Sequence, residues 1–406
     1  MPLDGFSEFI TPIDRFFVRC HTYTPKVEIA VWKLKIDGLV DNPVTLTLED
    51  LKKLPRVELV GVLECAGSGR SFYRPTVAGT QWTYGGVGNG RWAGVRLRDV
   101  LQKAGVKSSA KNILCDGADV PLGKMPDFQR TIEIEKALHP DTLLAYEMNG
   151  QTLPVEHGFP LRVIVPGWAG DSWVKWLQHI EVLDHDFDGF WMKTAYRHPE
   201  RHVEPGTAVD AKEMVPVTDI GVKSVIASPS AWAQPGRVRI KGTAWSNGAR
   251  VTKVNISVDG GTTWNNAKLF GQETKYGWRA WQYDWKASEG EQTIIARATD
   301  SSGRTQPLAE EWNPSGYLWN VAQPRKITVS ERRIETSSAA APEPGQFPDG
   351  YKSTCLGCHD EHMMTQQHLT QAQWGREIDK MAGWGAQVNS QNREAILKYL
   401  AEHFKP

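Results

Sequence analysis

Leu63-Glu64-Cys65-Ala66-Gly67-Ser68-Gly69-Arg70 sets a thiol between a carboxylic acid and the small residues Ala66 and Gly67, with a guanidinium shortly after it. Small neighbours let a bulky ligand approach the sulfur, and a soft thiolate suits a transition metal. Taken alone, the same thiol also reads as a small buried hydrophobe. The surrounding chain decides between the two.

From Trp32 to about Asp210, short apolar runs alternate with helical stretches, the texture of an α+β domain. Thr47-Leu48-Glu49-Asp50 has capping-box spacing and predicts a short helix closed by Pro55. Leu143 to Met148 and Leu161 to Val165 predict strands, with Asn149-Gly150 as the turn between them and Pro166-Gly167 as a sharp corner. Functional residues are expected on such corners. Near Ile226 the pattern turns all-β: Val238 and Ile240, then Val254, Ile256 and Val258, then Ile294, Ala296 and Ala298 alternate with polar residues, and Asp259-Gly260-Gly261 supplies a hairpin turn. This spacing predicts an immunoglobulin-like β-sandwich. Glu335 to Gly345 has almost nothing to bury and reads as a linker. Beyond it, Thr370 to Gln373 has capping-box spacing, while Trp374, Ile378 and Met381, and then Ile396, Leu400 and Phe404, form helical stripes. The chain therefore divides into 1–212 (α+β), 213–332 (sandwich), 333–347 (linker) and 348–406 (small all-α).

A chain of 406 residues suits two to three such units. With 40% hydrophobic and 23% charged residues it is of globular composition. Lys plus Arg and Asp plus Glu are 47 each, so no net field attracts nucleic acid or an anionic membrane. No apolar run approaches the roughly 18 residues that span a bilayer, so no membrane span is expected. Five cysteines are too few for a disulfide framework and odd in number. Each needs its own explanation.

Cys355-Leu356-Gly357-Cys358-His359 is the attachment signature of haem c: two thiols bond the porphyrin and the adjacent imidazole reaches the iron. A redox CxxC or half a zinc site is the competing reading, but no second Cys/His pair has ligand spacing. A haem also explains how so small a helical unit holds together. His359 is the expected proximal ligand and Met381, between two helices, the expected sixth ligand; the lesser alternative is that Met381 continues the Trp374–Ile378 stripe as core. Haem c is attached outside the bacterial cytoplasm, so a periplasmic protein is expected, with its signal segment removed from the sequence as written.

Phe16-Phe17-Val18-Arg19-Cys20-His21, the Leu63–Arg70 stretch, Arg91-Trp92-Ala93-Gly94-Val95, Ala145-Tyr146-Glu147-Met148-Asn149-Gly150, His157-Gly158-Phe159-Pro160-Leu161-Arg162 and Val174-Lys175-Trp176-Leu177 occur in the order of the blocks of the sulfite oxidase family of molybdopterin enzymes. The chain resembles that family from residue 1 to about 330, sandwich included. The resemblance implies molybdenum–molybdopterin as cofactor, Cys65 as the protein's molybdenum ligand, and Arg19, His21, Asp119, His157, Arg162, Ser172 and Lys175 as cofactor-binding residues. It further implies Arg70, Tyr196, Trp82, Arg19 and, from the sandwich, Arg250 around the substrate, and a homodimer through the sandwich. Cys20 and Cys115 are read as structural. Forked guanidinium donors match a small sulfur oxyanion such as sulfite.

The expected activity is oxidation of sulfite to sulfate, with electrons leaving through haem c to an external cytochrome or similar acceptor. Where the family often has Asn and a further basic residue, this chain has Ser68-Gly69, which resembles the sulfane dehydrogenase branch that acts on sulfur carried by a partner protein. Nitrate reduction within the same fold fits a fused electron-accepting haem less well. A non-enzymatic reading, a haem adaptor whose first domain holds no molybdenum, leaves Cys65 without a purpose.

Overall fold

The computed structural model describes residues 1–332, 347–348, 350–356 and 362–405. In the first unit the strands are β1 (Leu34–Gly38), β2 (Val44–Leu46), β3 (Val57–Glu64), β4 (Val87–Arg96), β5 (Asn112–Gly117), β6 (Gln129–Glu133), β7 (Leu143–Met148), β8 (Gln151–Thr152), β9 (Arg162–Ile164) and β10 (Leu177–Leu183). One sheet has the order β2-β1-β10-β5-β6, with β1 parallel to β10 and the other pairs antiparallel. The other runs β3-β4-β7-β8, and β9 pairs with β7. Ile36, Ile113 and Ile180 from the first sheet share one core with Trp92, Leu144 and Val163 from the second. Each such fully buried aliphatic chain contributes roughly 1.5–3 kcal/mol.

The helix after Thr47 forms as its capping box predicts: Thr47 Oγ1 accepts from the Asp50 backbone N–H, and the Asp50 carboxylate accepts from that of Thr47. Between β7 and β9 the chain makes more than a single turn. Asn149 and Gly150, both left-handed, close a tight hairpin into β8, and a short turn at Val155–His157 then leads to β9. That detour is what brings His157 to the sheet edge.

The second unit is a β-sandwich. One sheet pairs Lys223–Ser228, Gly236–Trp245, Arg279–Ala287 and Lys268–Phe270 in that order; the other runs Trp232–Ala233, Arg325–Val329, Gly290–Asp300, Val251–Ser257 and Asn265–Asn266. Ile240, Val254, Ile256, Ile294, Ala296 and Ala298 alternate into its core around Trp281 and Trp285. A separate apolar cluster joins the two units, with Val62, Ala66, Trp191 and Tyr196 against Val225, Trp245 and Trp278.

At this seam Glu64, the residue before Cys65, is buried against Lys223 Nζ and accepts from Trp245 Nε1 at 2.8 Å. Removing one partner strands a buried charge. Lys223→Met is therefore expected to cost about 3–5 kcal/mol of stability in urea unfolding, and Glu64→Gln in the same chain to recover part of it.

The C-terminal unit is helical at Tyr351–Cys355, His362–Thr365, Gln371–Gly383 and Ser390–His403, around Tyr351, Leu369, Trp374, Ile396 and Leu400. Thr370 and Gln373 form the predicted capping box. The unit docks on two loops of the first domain: Gly79 N donates to Gln367 Oε1 (3.0 Å), Gln373 Nε2 to Thr76 O (2.8 Å) and Lys124 N to Trp384 O (2.9 Å). Trp384 also meets Phe190 edge-on and Trp191 at a tilt, with centroids 5.9 and 6.1 Å away. Of the predicted linker, 333–346 lies outside the described residues.

Candidate functional site

Cys65 leaves the end of β3, its N–H donating to Gly86 O at 2.8 Å, so the last rung of the β3–β4 ladder aims it out of the sheet. Burial pushes its thiol pKa up, against weaker pulls from the Gly67 N–H, Arg70 and Arg19. A metal would deprotonate it outright. The chain then turns through Gly69, left-handed at φ +90°, into a single 3-10 turn that carries Arg70 back over the thiol loop. Arg70 is 7% exposed; Nη1 donates to Thr80 O (3.2 Å), Nη2 approaches Ser315 O (3.5 Å), and Nε has no partner.

Beside Cys65 lie further cations without anions. Arg162 is buried between Trp92 and Trp173 and bonds only the carbonyls of His157 (2.9 Å) and Trp173 (3.1 Å), its Nε unpartnered; burial pushes its pKa down to about 9. Lys175 Nζ contacts Cys20 Sγ at 3.0 Å and Glu156 O at 2.9 Å, and burial lowers its pKa. Arg19, Cys20, His21, Asp119, His157, Arg162 and Lys175 line one recess with Cys65. Among the described residues, Arg19, Arg70, Arg162 and Lys175 form no ion pair with a carboxylate. The nearby carboxylates are occupied: Asp119 accepts from Thr22 (3.1 Å) and Asp171 pairs with buried Arg130 (2.6 Å). Ser172 Oγ, buried one residue on, has no partner. Orphaned donors and uncompensated cations around a half-buried thiol fit an anionic group with a soft-metal end.

The imidazoles stay neutral for the same reason. Burial first, then Arg162 and Lys175, lowers His157 to about 4, and burial, Arg19, Lys175 and Arg130 hold His21 well below its usual range. A depressed histidine pKa makes the unfolded chain bind the extra proton first. In cofactor-free protein, thermal stability is therefore expected to fall as pH drops from about 6.5 to about 4, by at most about 1.4 kcal/mol per pH unit for His157.

Tyr196, left-handed at φ +52°, follows the one-turn helix Phe190–Lys193 and shares a hydrogen bond between its Oη and His21 Nε2 (2.8 Å). Burial raises its pKa well above the usual value, so the phenol keeps its proton. Trp82 sits across from it with Nε1 unpartnered. Cys65, Arg70, Trp82 and Tyr196 line one side of a cavity of about 560 Å³ whose other side is formed by Thr354, Cys355, Trp374, Met381 and Leu400 of the C-terminal unit.

Sequence expectations and structure part in a few places. Arg250 is not at this site: it lies in the loop before Val251–Ser257, two-thirds exposed, 3.7 Å from Glu273, lining a different hollow. The sandwich unit instead reaches the site through 313–318, where Tyr317 stacks on Tyr196 (5.2 Å, 14°) and Leu318 N donates to Ala66 O (2.8 Å). Cys20, read as structural, is a lining residue in contact with Lys175, whereas Cys115 is fully buried on β5. Arg130 and Asp171 were not anticipated either; an arginine in Gln129-Arg130-Thr131 looks like a solvated strand charge. Cys355 and Met381 line the cavity; Cys358 and His359 lie outside the described residues.

Residues 21–191 match the oxidoreductase molybdopterin binding domain family, and residues 215–329 the Mo-co oxidoreductase dimerisation domain family. The chain is 36% identical to the sulfite oxidase of Gallus gallus over 331 residues, covering 77% of this chain and 72% of that protein. To the mitochondrial sulfite oxidase of Homo sapiens it is 36% identical over 343 residues, 80% of this chain but 62% of that protein, so it spans less than two thirds of the human protein's length. The structure is similar to the sulfane dehydrogenase SoxCD of Paracoccus pantotrophus, with a TM-score of 0.72 and 30% identity over 81% of this chain and 83% of that one. Identity and coverage at these levels, over the segment that builds the thiol site and the sandwich beside it, place the chain in the sulfite oxidase family of molybdopterin oxidoreductases.

Proposed function

We propose that this chain is a sulfite dehydrogenase, oxidising sulfite to sulfate and releasing electrons through haem c in its C-terminal unit to an external cytochrome or similar acceptor. The observation that carries the proposal is Arg70, a buried guanidinium bonded only to carbonyl oxygens, in the same cavity as Cys65. When bound, molybdenum–molybdopterin supplies oxygen-atom transfer and takes two electrons, and haem c supplies one-electron exit.

Cys65 would hold the metal, while Arg19, His21, Asp119, His157, Arg162, Ser172 and Lys175 would hold the pterin and its anionic end. Arg70, with Arg19, draws in the oxyanion and orients its oxygens by charged N–H donors. Tyr196 Oη keeps its proton and, with neutral His21 behind it, can donate to a substrate oxygen. Trp82 and Tyr317 limit water at the same wall. Cys355 and Cys358 would bond the porphyrin, with His359 and Met381 toward its iron. We further propose a homodimer through the sandwich and a periplasmic location.

A second reading, sulfane dehydrogenase on carrier-bound sulfur, is favoured by the likeness to SoxCD and by Ser68-Gly69. The first reading is kept ahead of it because Arg70 in the cavity offers charged N–H donors that suit a small free anion. Stopped-flow mixing with sulfite, following the haem Soret and α bands, tests the proposal. Reduction within turnover time supports it; reduction only by a sulfur-loaded carrier replaces it with the second reading.

A further inference from the structure

We infer that Tyr317, carried into the site by the sandwich unit, is a positioning residue that sets the guanidinium of Arg70 for the substrate oxyanion. The inference rests on the proposed role of Arg70. The walls around that guanidinium are mostly bare backbone: a Cβ on Gly67 or on Gly79 would stand 2.7 Å from Nη1, and one on Gly316 3.0 Å from Nε. Glycine at these places makes room for the group and gives it nothing lateral to rest on. The Tyr317 ring fills that role, with Arg70 Cζ 4.9 Å from its centroid. A ring face holds a guanidinium without using any N–H, so the donors left over after Thr80 O and Ser315 O stay free for an anion.

Tyr317 is in turn anchored from three directions. Its carbonyl accepts from Tyr73 Oη (2.6 Å) and Asn313 Nδ2 (2.9 Å), and Leu318 N ties the next residue to Ala66 O, directly after Cys65. Its ring lies nearly parallel to that of Tyr196. The Tyr317 ring thus couples the guanidinium and the phenol, the backbone of Leu318 beside it holds the thiol loop, and both come from a different unit than these three. Deleting the ring leaves Arg70 charged and present but held only by two carbonyl contacts, with no ring face to fix the plane of its guanidinium.

The test uses holoenzyme with the molybdenum content of each variant measured. Tyr317→Leu and the longer Tyr317→Met are expected to raise KM for sulfite and the dissociation constant of sulfate, a turnover-independent oxyanion probe, by about 10-fold, while kcat changes less than about 3-fold. Tyr317→Phe keeps the ring and is expected to restore both constants to within about 2-fold. In an Arg70→Met background, Tyr317→Leu is expected to add nothing further. An unchanged KM in both Leu and Met variants, a Phe variant as impaired as Leu, or an undiminished effect without Arg70 each overturns the inference. Its failure is separable from that of the proposed function: if Arg70→Met itself leaves sulfate affinity unchanged, the role of Arg70 is what fails.

Discussion

Cys65→Ser yields protein without molybdenum and without turnover, in the expected result with the largest effect. Oxygen is a harder donor than sulfur, and a serine hydroxyl, with a far higher pKa than a thiol, would have to ionise in a place where burial already opposes the thiolate. The loss should exceed the roughly 10–100-fold that follows removal of groups one step further from a metal. Elemental analysis of purified protein, with the optical spectrum of the C-terminal unit as an internal control, measures it. Retained turnover in the Cys65→Ser variant would overturn the metal assignment. Iron without molybdenum in unmutated protein, made with active cofactor synthesis, would favour a haem adaptor over an enzyme.

Arg70→Met comes second, with kcat/KM for sulfite falling by about 10²–10³ while molybdenum content is kept. Methionine replaces much of the side-chain volume and removes the charge and the forked donors together. The thiol loop has other supports, since Cys65 is held through Gly86 and Ala66 through Leu318. Arg70→Lys should recover only part of the loss, because an ammonium offers no planar fork. Steady-state kinetics with sulfite, with molybdenum measured in parallel, decides it: wild-type kcat/KM in a fully loaded Met variant would remove Arg70 from substrate binding.

The elements legible in the chain were those whose signals are local. Alternation at Val254–Val258 and Ile294–Ala298 depends on a two-residue period, and the caps at Thr47 and Thr370 on contacts three residues apart. The thiol loop was readable only through the resemblance of its block, and of the blocks around it, to the sulfite oxidase family, since a cysteine among small residues reads on its own as a buried structural thiol. Tyr317 was not, since Asn313-Pro314-Ser315-Gly316 announces a turn without saying where it goes, and its partner Arg70 lies far back in the chain. Arg250 misled for the complementary reason: an arginine in a sandwich loop is plausible by order along the chain, and only three-dimensional placement shows it pairing with Glu273 at the surface. The Arg130–Asp171 pair escaped notice because its members, on β6 and in the turn at Gly170–Ser172, lie about forty residues apart in the chain and meet only through the tertiary fold.

The helical unit that closes the far wall of the cavity is joined to the rest of the polypeptide, and its dock includes three hydrogen bonds to backbone groups of the first domain, the Trp384 ring, and Ala78 packed against the helical core. Tethering raises its local concentration to roughly the millimolar range, so occupancy of the dock is independent of how much protein is present. The proposed electron transfer between the two halves would accordingly be first order, and cutting the tether would make it bimolecular.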